Sequence, residues 1–309
     1  MNDLSISRIN DYAPYNVEHV MRRKKLYTFL FGTWRSALYD VRSLLPVSMP
    51  TADRDPIDIV IPVIEKDMDI LPLCLEGLRR NCNNTVDGIY LVAPPSPVIM
   101  DFARANGLTF TDENTVLGYG VRDIGYTDRN GNDRSGWIFQ QLLKLSGNVG
   151  TRRHYVTIDA DHILMRPHTF LAEGGRPVFY MSKEYYFPYY LTQQALTGRF
   201  PMQQLSYIAH KMIFDKQQLA VLHAQLEQGA TAGTTWDRVI VDTLRRTPLG
   251  SFSEFELYGH CYPADRKLRV PWRQKELRKS SKHSVSYDEL ARLFPKALSV
   301  TFPDYRKED

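Results

Sequence analysis

The chain has 309 residues, 43% hydrophobic and 24% charged, with a formal net charge of +4. That is the balance of a soluble globular protein with room for one large α/β domain and an appendage. Three cysteines (Cys74, Cys82 and Cys261) exclude a disulfide framework and a zinc motif, no run approaches the ~20 apolar residues of a membrane span, and no dense Lys/Arg tract marks a nucleic-acid binder.

The mild positive charge favours anionic partners, such as nucleotide diphosphates or acidic lipid surfaces. Met1 to Asn10 are polar and lack the apolar segment of a secretory leader, so a cytoplasmic setting is expected. Residues 1–50 read as an N-terminal helical extension. Tyr27, Leu30, Phe31, Trp34 and Leu38 fall at helical spacing among Arg22, Arg23, Lys24, Lys25, Arg35 and Arg42. Such a helix either lies at the inner face of a membrane as a peripheral contact or packs on the domain that follows.

Residues 51–309 read as that domain, entered through a connector at Pro46–Pro56. A strand is expected over Asp58–Val63, a helix over Leu71–Arg80, and a second strand over Gly88–Ala93 stopped by Pro94-Pro95. A helix over Ser96–Asn106 leads to an extended Leu108–Phe110. This alternation implies parallel βαβ units with ligands at the carboxyl ends of the strands. Asp128–Asp133 loosely resembles a calcium loop, but Gly131 is fourth rather than sixth and Phe139 stands where a bidentate Glu belongs. A surface loop is the better reading.

Trp137–Leu145 reads as a helix with two stripes. Trp137, Gln140, Gln141 and Lys144 share one face, while Ile138, Leu142 and Leu145 form a separate apolar one. Val156-Thr157-Ile158 then reads as a strand ending in Asp159-Ala160-Asp161. Side chains at i and i+2 leave one face of a strand, and two hard oxygen ligands there suit Mg²⁺ or Mn²⁺ carrying a diphosphate. His162 reads as a turn residue. An aromatic segment, Tyr180–Tyr190, precedes helices expected around 201–228 and 234–246.

The order aromatic-Gln-Gln-Leu-Leu-Lys helix, strand, Asp-x-Asp resembles the nucleotide-sugar site of GT-A fold glycosyltransferases, over about residues 57–285. The resemblance implies an α/β, Rossmann-like, mostly parallel central sheet flanked by helices. It also implies a metal-dependent transfer of a sugar from a nucleotide-sugar donor, UDP-sugar favoured, with Mn²⁺ or Mg²⁺ as cofactor. Carried onto this chain, Asp159 meets the ribose or sugar and Asp161 the metal. Pro62, Glu65 and Asp67 receive the nucleoside, with a helix cap as the other reading of Asp67. Trp137, Gln140, Gln141 and Lys144 line the donor site, Lys144 near phosphate. A late histidine, His283 with His260 in reserve, completes the metal shell.

Glu254 and Glu256, at alternate positions among aromatics, are candidates for the base that takes the acceptor proton. Tyr185, Tyr186 and His210 are the acceptor-binding candidates. The string Ser253-Glu254-Phe255-Glu256-Leu257-Tyr258-Gly259 resembles an uncharacterised bacterial group of GT-A-like proteins. That group implies a glycan or lipid-linked acceptor in surface polysaccharide synthesis. Two alternatives stand: a haloacid-dehalogenase-like phosphatase, which also uses Asp-x-Asp at a strand end, and a GT-A-like domain that binds nucleotide-sugar or glycan without turnover.

Overall fold

The computed structural model describes residues 22, 25–26, 34–42, 48–128, 130–184, 186–201, 205–247, 250–271, 274–277 and 285–302. Helix α1 (Trp34–Arg42) buries Tyr39 against the domain. Lys183 sits 5.8 Å over that ring and 3.2 Å from Asp40. Positions 27, 30 and 31 of the expected amphipathic stripe lie outside the described residues.

Strand β1 (Ile57–Pro62) is a wholly buried β-branched run. It leads through a 3₁₀ turn, Glu65–Asp67, into α2 (Leu71–Asn81). Then follow β2 (Val86–Ala93), α3 (Pro97–Ala105), β3 (Thr109–Asp112), a short α4 (Glu113–Leu117), α5 (Ser135–Leu145) and β4 (His154–Ile158). Proline near the start of α2 and of α3 suits the first helical turn, where no amide partner is missed. After β4 come β5 (His162–Leu164), β6 (Leu171–Ala172), β7 (Arg176–Met181), α6 (Phe187–Thr197), β8 (Lys211–Asp215), α7 (Lys216–Glu227), α8 (Trp236–Arg246) and α9 (Glu254–Cys261). The described chain closes with β9 (Leu268–Pro271), β10 (Gln274–Glu276), α10 (Tyr287–Leu293) and β11 (Ser299–Thr301).

The central sheet has the order β3-β2-β1-β4-β8, with β8 alone antiparallel. This is the mixed α/β, mostly parallel, helix-flanked sheet that the sequence implied. The chain builds outward from β1 to β3 and then returns to lay β4 on the other side of β1. That reversal opens a crevice at the carboxyl ends of β1 and β4, where a ligand meets no crossing connection. Asp58, wholly buried in β1, holds the turn before β4 by accepting from the amides of Thr151 (2.6 Å) and Arg152 (2.7 Å).

Two smaller three-stranded sheets, β10-β11-β5 and β6-β7-β9, flank the central one. β5 packs directly on α2. A methyl group at Gly77 would stand 2.8 Å from the Leu164 carbonyl oxygen, so only glycine fits there.

One expected element is wrong in kind. The helix expected over 201–228 is the strand β8 followed by α7, because Met212-Ile213-Phe214 is buried in the sheet beside β4. A buried run this short carries no periodicity that separates strand from helix. Asp215 then caps α7, accepting from the Gln217 amide at 2.9 Å. Among the described residues, no helix is long and apolar enough to cross a membrane.

Candidate functional site

The site starts where β4 ends. Because β8 runs antiparallel with Lys211 opposite Ile158, the residue before β8 meets the residue after β4. The Asp159 amide accordingly donates to the His210 carbonyl at 2.9 Å. His210 has φ +56°, the only non-glycine residue in the left-handed region among those described. That conformation costs roughly 1 kcal/mol, and such strain collects where function holds a side chain in place.

Both carboxylate oxygens of Asp159 are engaged. Lys144 Nζ donates to Oδ1 at 2.7 Å, and His210 Nδ1 donates to Oδ2 at 3.0 Å. Lys144 also donates to Glu254 Oε1 at 2.9 Å and lies 4.8 Å over the Phe255 ring. Lys144 is 4% and Glu254 5% exposed while Asp159 is 23% exposed, so the three form a charge triad, spanning α5, the end of β4 and the start of α9, that opens to solvent at Asp159. Burial opposes ionisation of Asp159, but the charges of Lys144 and His210 outweigh it and hold the carboxyl well below its usual range. Burial likewise opposes the Lys144 ammonium, and Asp159 with Glu254 reverses that effect and raises it. The His210 ring is raised too, its burial outweighed by the bond to Asp159 and by the charges of Asp159, Asp161 and Glu184.

Glu254 and Glu256 alternate in sequence, but they occupy the first turn of a helix, where residues two apart face different ways. Glu254 turns to Lys144. Glu256 turns away into its own buried cluster, accepting from Ser206 Oγ (2.5 Å) and Tyr190 OH (3.1 Å), with His260 Nε2 at 3.0 Å. Gln141, only 3% exposed, ties α5 to α9 by accepting from the Glu254 amide at 3.1 Å. Gln140 and Trp137 are half-buried, and Trp137 stacks on Tyr189 with ring centres 6.2 Å apart.

The β1 loop reaches the same end of the sheet. Pro62 closes β1, exposed Glu65 accepts from Ser96 Oγ at 2.5 Å, and Asp67 accepts from the Ile64 amide at 3.2 Å, closing the 3₁₀ turn. Tyr186 is 45% exposed beside Tyr189. Tyr185 and His283 lie outside the described residues.

Asp159, Asp161 and His210 each bring a ligand atom within 4.8 Å of the others. The donor set fits a divalent cation. His210 Nε2 is buried without a hydrogen-bond partner among the described residues, while its Nδ1 is fixed by a carboxylate. That is how a metal-binding imidazole is normally oriented. The histidine gathered here is thus His210, an acceptor candidate in the sequence, while His260 pairs with Glu256.

Sequence reasoning did not bring out the residues beneath this group. His162 opens β5 fully buried rather than lying in an open turn, and its ring stacks on His210 at 5.7 Å. Lys211, 1% exposed, holds its Nζ 3.1 Å from His162 Nε2, and burial pushes that ammonium well below its ordinary value. The one signal in the sequence was the pair His210-Lys211 directly before a short apolar run.

Residues 55–288 match the model of a family of unknown function (DUF6492). The chain belongs to that family. No curated protein sequence matches this DUF6492 member. Among solved structures it is similar to mouse xyloside xylosyltransferase 1 in its apo form, with TM-score 0.43 and 11% identity over 82% of this chain and 100% of that one. It is also similar to the galactosyltransferase LgtC in complex with donor and acceptor sugar analogs, with TM-score 0.41 and 11% identity over 81% and 88% of the two chains. A third is glucosyl-3-phosphoglycerate synthase from Mycobacterium tuberculosis in complex with Mn²⁺, uridine-diphosphate and glucosyl-3-phosphoglycerate, with TM-score 0.34 and 15% identity over 70% and 69%.

Proposed function

We propose that this chain is a metal-dependent glycosyltransferase that moves a sugar from a nucleotide-diphospho-sugar, UDP-sugar favoured, to a hydroxyl of a glycan or lipid-linked acceptor in bacterial surface polysaccharide synthesis. The observation that carries the reading is the Asp159, Asp161 and His210 group at the carboxyl end of β4, in the crevice where the strand order reverses. Asp161 and His210 would hold Mn²⁺ or Mg²⁺, with Asp159 orienting the imidazole and facing the sugar or ribose. When bound, the cation supplies positive charge against the leaving diphosphate. The β1 loop, with Pro62, Glu65 and Asp67, receives the nucleoside.

Glu254 is the base of this proposal. It shares Lys144 with Asp159, whereas Glu256 is taken up by Ser206, Tyr190 and His260. Lys144 keeps both acids of the site in register and offsets one of their two negative charges.

The test is donor turnover. Mn²⁺-dependent release of nucleotide diphosphate from one of a panel of UDP-, GDP- and dTDP-sugars, lost in Asp161→Ala and in His210→Ala, supports the transferase. Phosphate release from simple monoesters without any nucleotide-sugar turnover overturns it in favour of a phosphatase. Donor binding with no turnover in any pairing of donor and glycan supports a binding module instead.

A further inference from the structure

Outside the charge triad, three aromatic rings lie in a row between α5 and α6. Tyr186, immediately before α6, stands 45% exposed with its ring edge-on to Tyr189 at 4.8 Å and 68°. Tyr189 in turn stacks on half-buried Trp137 at 29°. The three rings make a continuous aromatic surface from α5 to the start of α6.

This surface adjoins the site. Gln141 links the two, its Nε2 donating to the Trp137 carbonyl at 3.3 Å and its Oε1 accepting from the Glu254 amide at 3.1 Å. Trp137 also shares a helix face with Lys144, seven residues further on and therefore about 10 Å along the axis.

We infer that Trp137, Tyr189 and Tyr186 bind a sugar ring of an oligosaccharide acceptor, at least one ring removed from the ring whose hydroxyl reacts. The inference rests on the transferase reading. Aromatic faces pack on the C–H faces of pyranoses, and tyrosine and tryptophan do so with a polar edge left for hydroxyls. Glu184, two residues before Tyr186, would accept hydrogen bonds from sugar hydroxyls and repel an anionic lipid headgroup. About two helical turns separate Trp137 from Lys144, more than one pyranose bridges, so the acceptor is a glycan of two or more rings.

The experiment passes the full chain, with Mn²⁺ and UDP, over an array of neutral mono-, di-, tri- and tetrasaccharides. Expected is retention of glycans of two or more rings and none of monosaccharides. Retention falls roughly tenfold in Tyr186→Ala and stays within about twofold in Tyr186→Phe, which keeps the ring face. Trp137→Phe is the companion variant, because Trp137 also packs against the core. An array silent for the wild type, equal retention of monosaccharides, or unchanged retention in Tyr186→Ala overturns the inference. A thermal shift of the wild type by UDP with Mn²⁺ separates the two levels. A shift with a silent array discards the aromatic subsite alone, whereas no shift and no retention discard the transferase reading as well. Loss of the UDP shift in Tyr186→Ala would assign the rings to the nucleobase and likewise overturn the inference.

Discussion

At the scale of single residues, Lys144 is the junction of the site. It is buried between Asp159 and Glu254, so removing its charge leaves buried Glu254 without its counter-ion and Asp159 with His210 alone. Lys144→Met is expected to cost about 3 kcal/mol or more of stability, read as a lowered urea midpoint, and to abolish donor turnover. His210 combines two demands, a left-handed backbone and an imidazole on Asp159. Asparagine tolerates that backbone better than other residues do, so His210→Asn should fold within about 1 kcal/mol of the wild type. The same variant should lose the Mn²⁺-induced thermal shift. Retention of that shift would remove His210 from the metal group.

At the scale of elements, α9 serves the site from its start and is anchored at its end. Its first turn presents Glu254, and its last carbonyls are met by Lys267, whose Nζ donates to Gly259 (2.5 Å) and Tyr262 (3.0 Å). Burial, then the charge of Arg269, pushes the Lys267 ammonium down from 10.5 to about 8. Between those two values the unfolded chain binds more protons than the folded one, so this group makes stability rise with pH from about 8 toward 10.5. Below about 8 its burial penalty is fully present. Lys267→Met, compared with the wild type in urea melts from pH 7 to pH 10, should flatten that rise. An identical pH dependence in the two proteins would count against a depressed Lys267.

Elements also show where the sequence was legible. The run Ile59-Val60-Ile61 and the repeat of strand and helix from there to β4 were readable, because continuous β-branched runs between turn residues have few alternatives. The stripe Ile138, Leu142 and Leu145 identified α5 by its period. β8 was hidden, since five buried residues leading straight into a capped helix look like the helix's own first turns.

At the scale of the whole molecule, the reading requires that donor and cation bind one folded crevice. A nucleotide-sugar at about a hundredfold its dissociation constant should then stabilise the chain by about 2.7 kcal/mol, seen as a thermal shift of several degrees that depends on Mn²⁺. Asp161→Ala should melt near the wild type without ligand and lose only the metal-dependent part of the shift. A shift equal with and without Mn²⁺ would separate nucleotide binding from the metal group.

The amino-acid sequence by itself determined the alternation that builds a parallel sheet and the placing of Asp159 and Asp161 at the end of one strand. Both are local patterns, written within a few residues. Only the tertiary structure decided the partners of Asp159. His210 is 51 residues away and reaches it through the antiparallel register of β8, while Glu254 is 110 residues from Lys144 and arrives through the packing of α9 on α5. It also split Glu254 from Glu256, because a helix turns alternate residues to different neighbours. Strand register and helix packing join residues that no spacing along the chain connects.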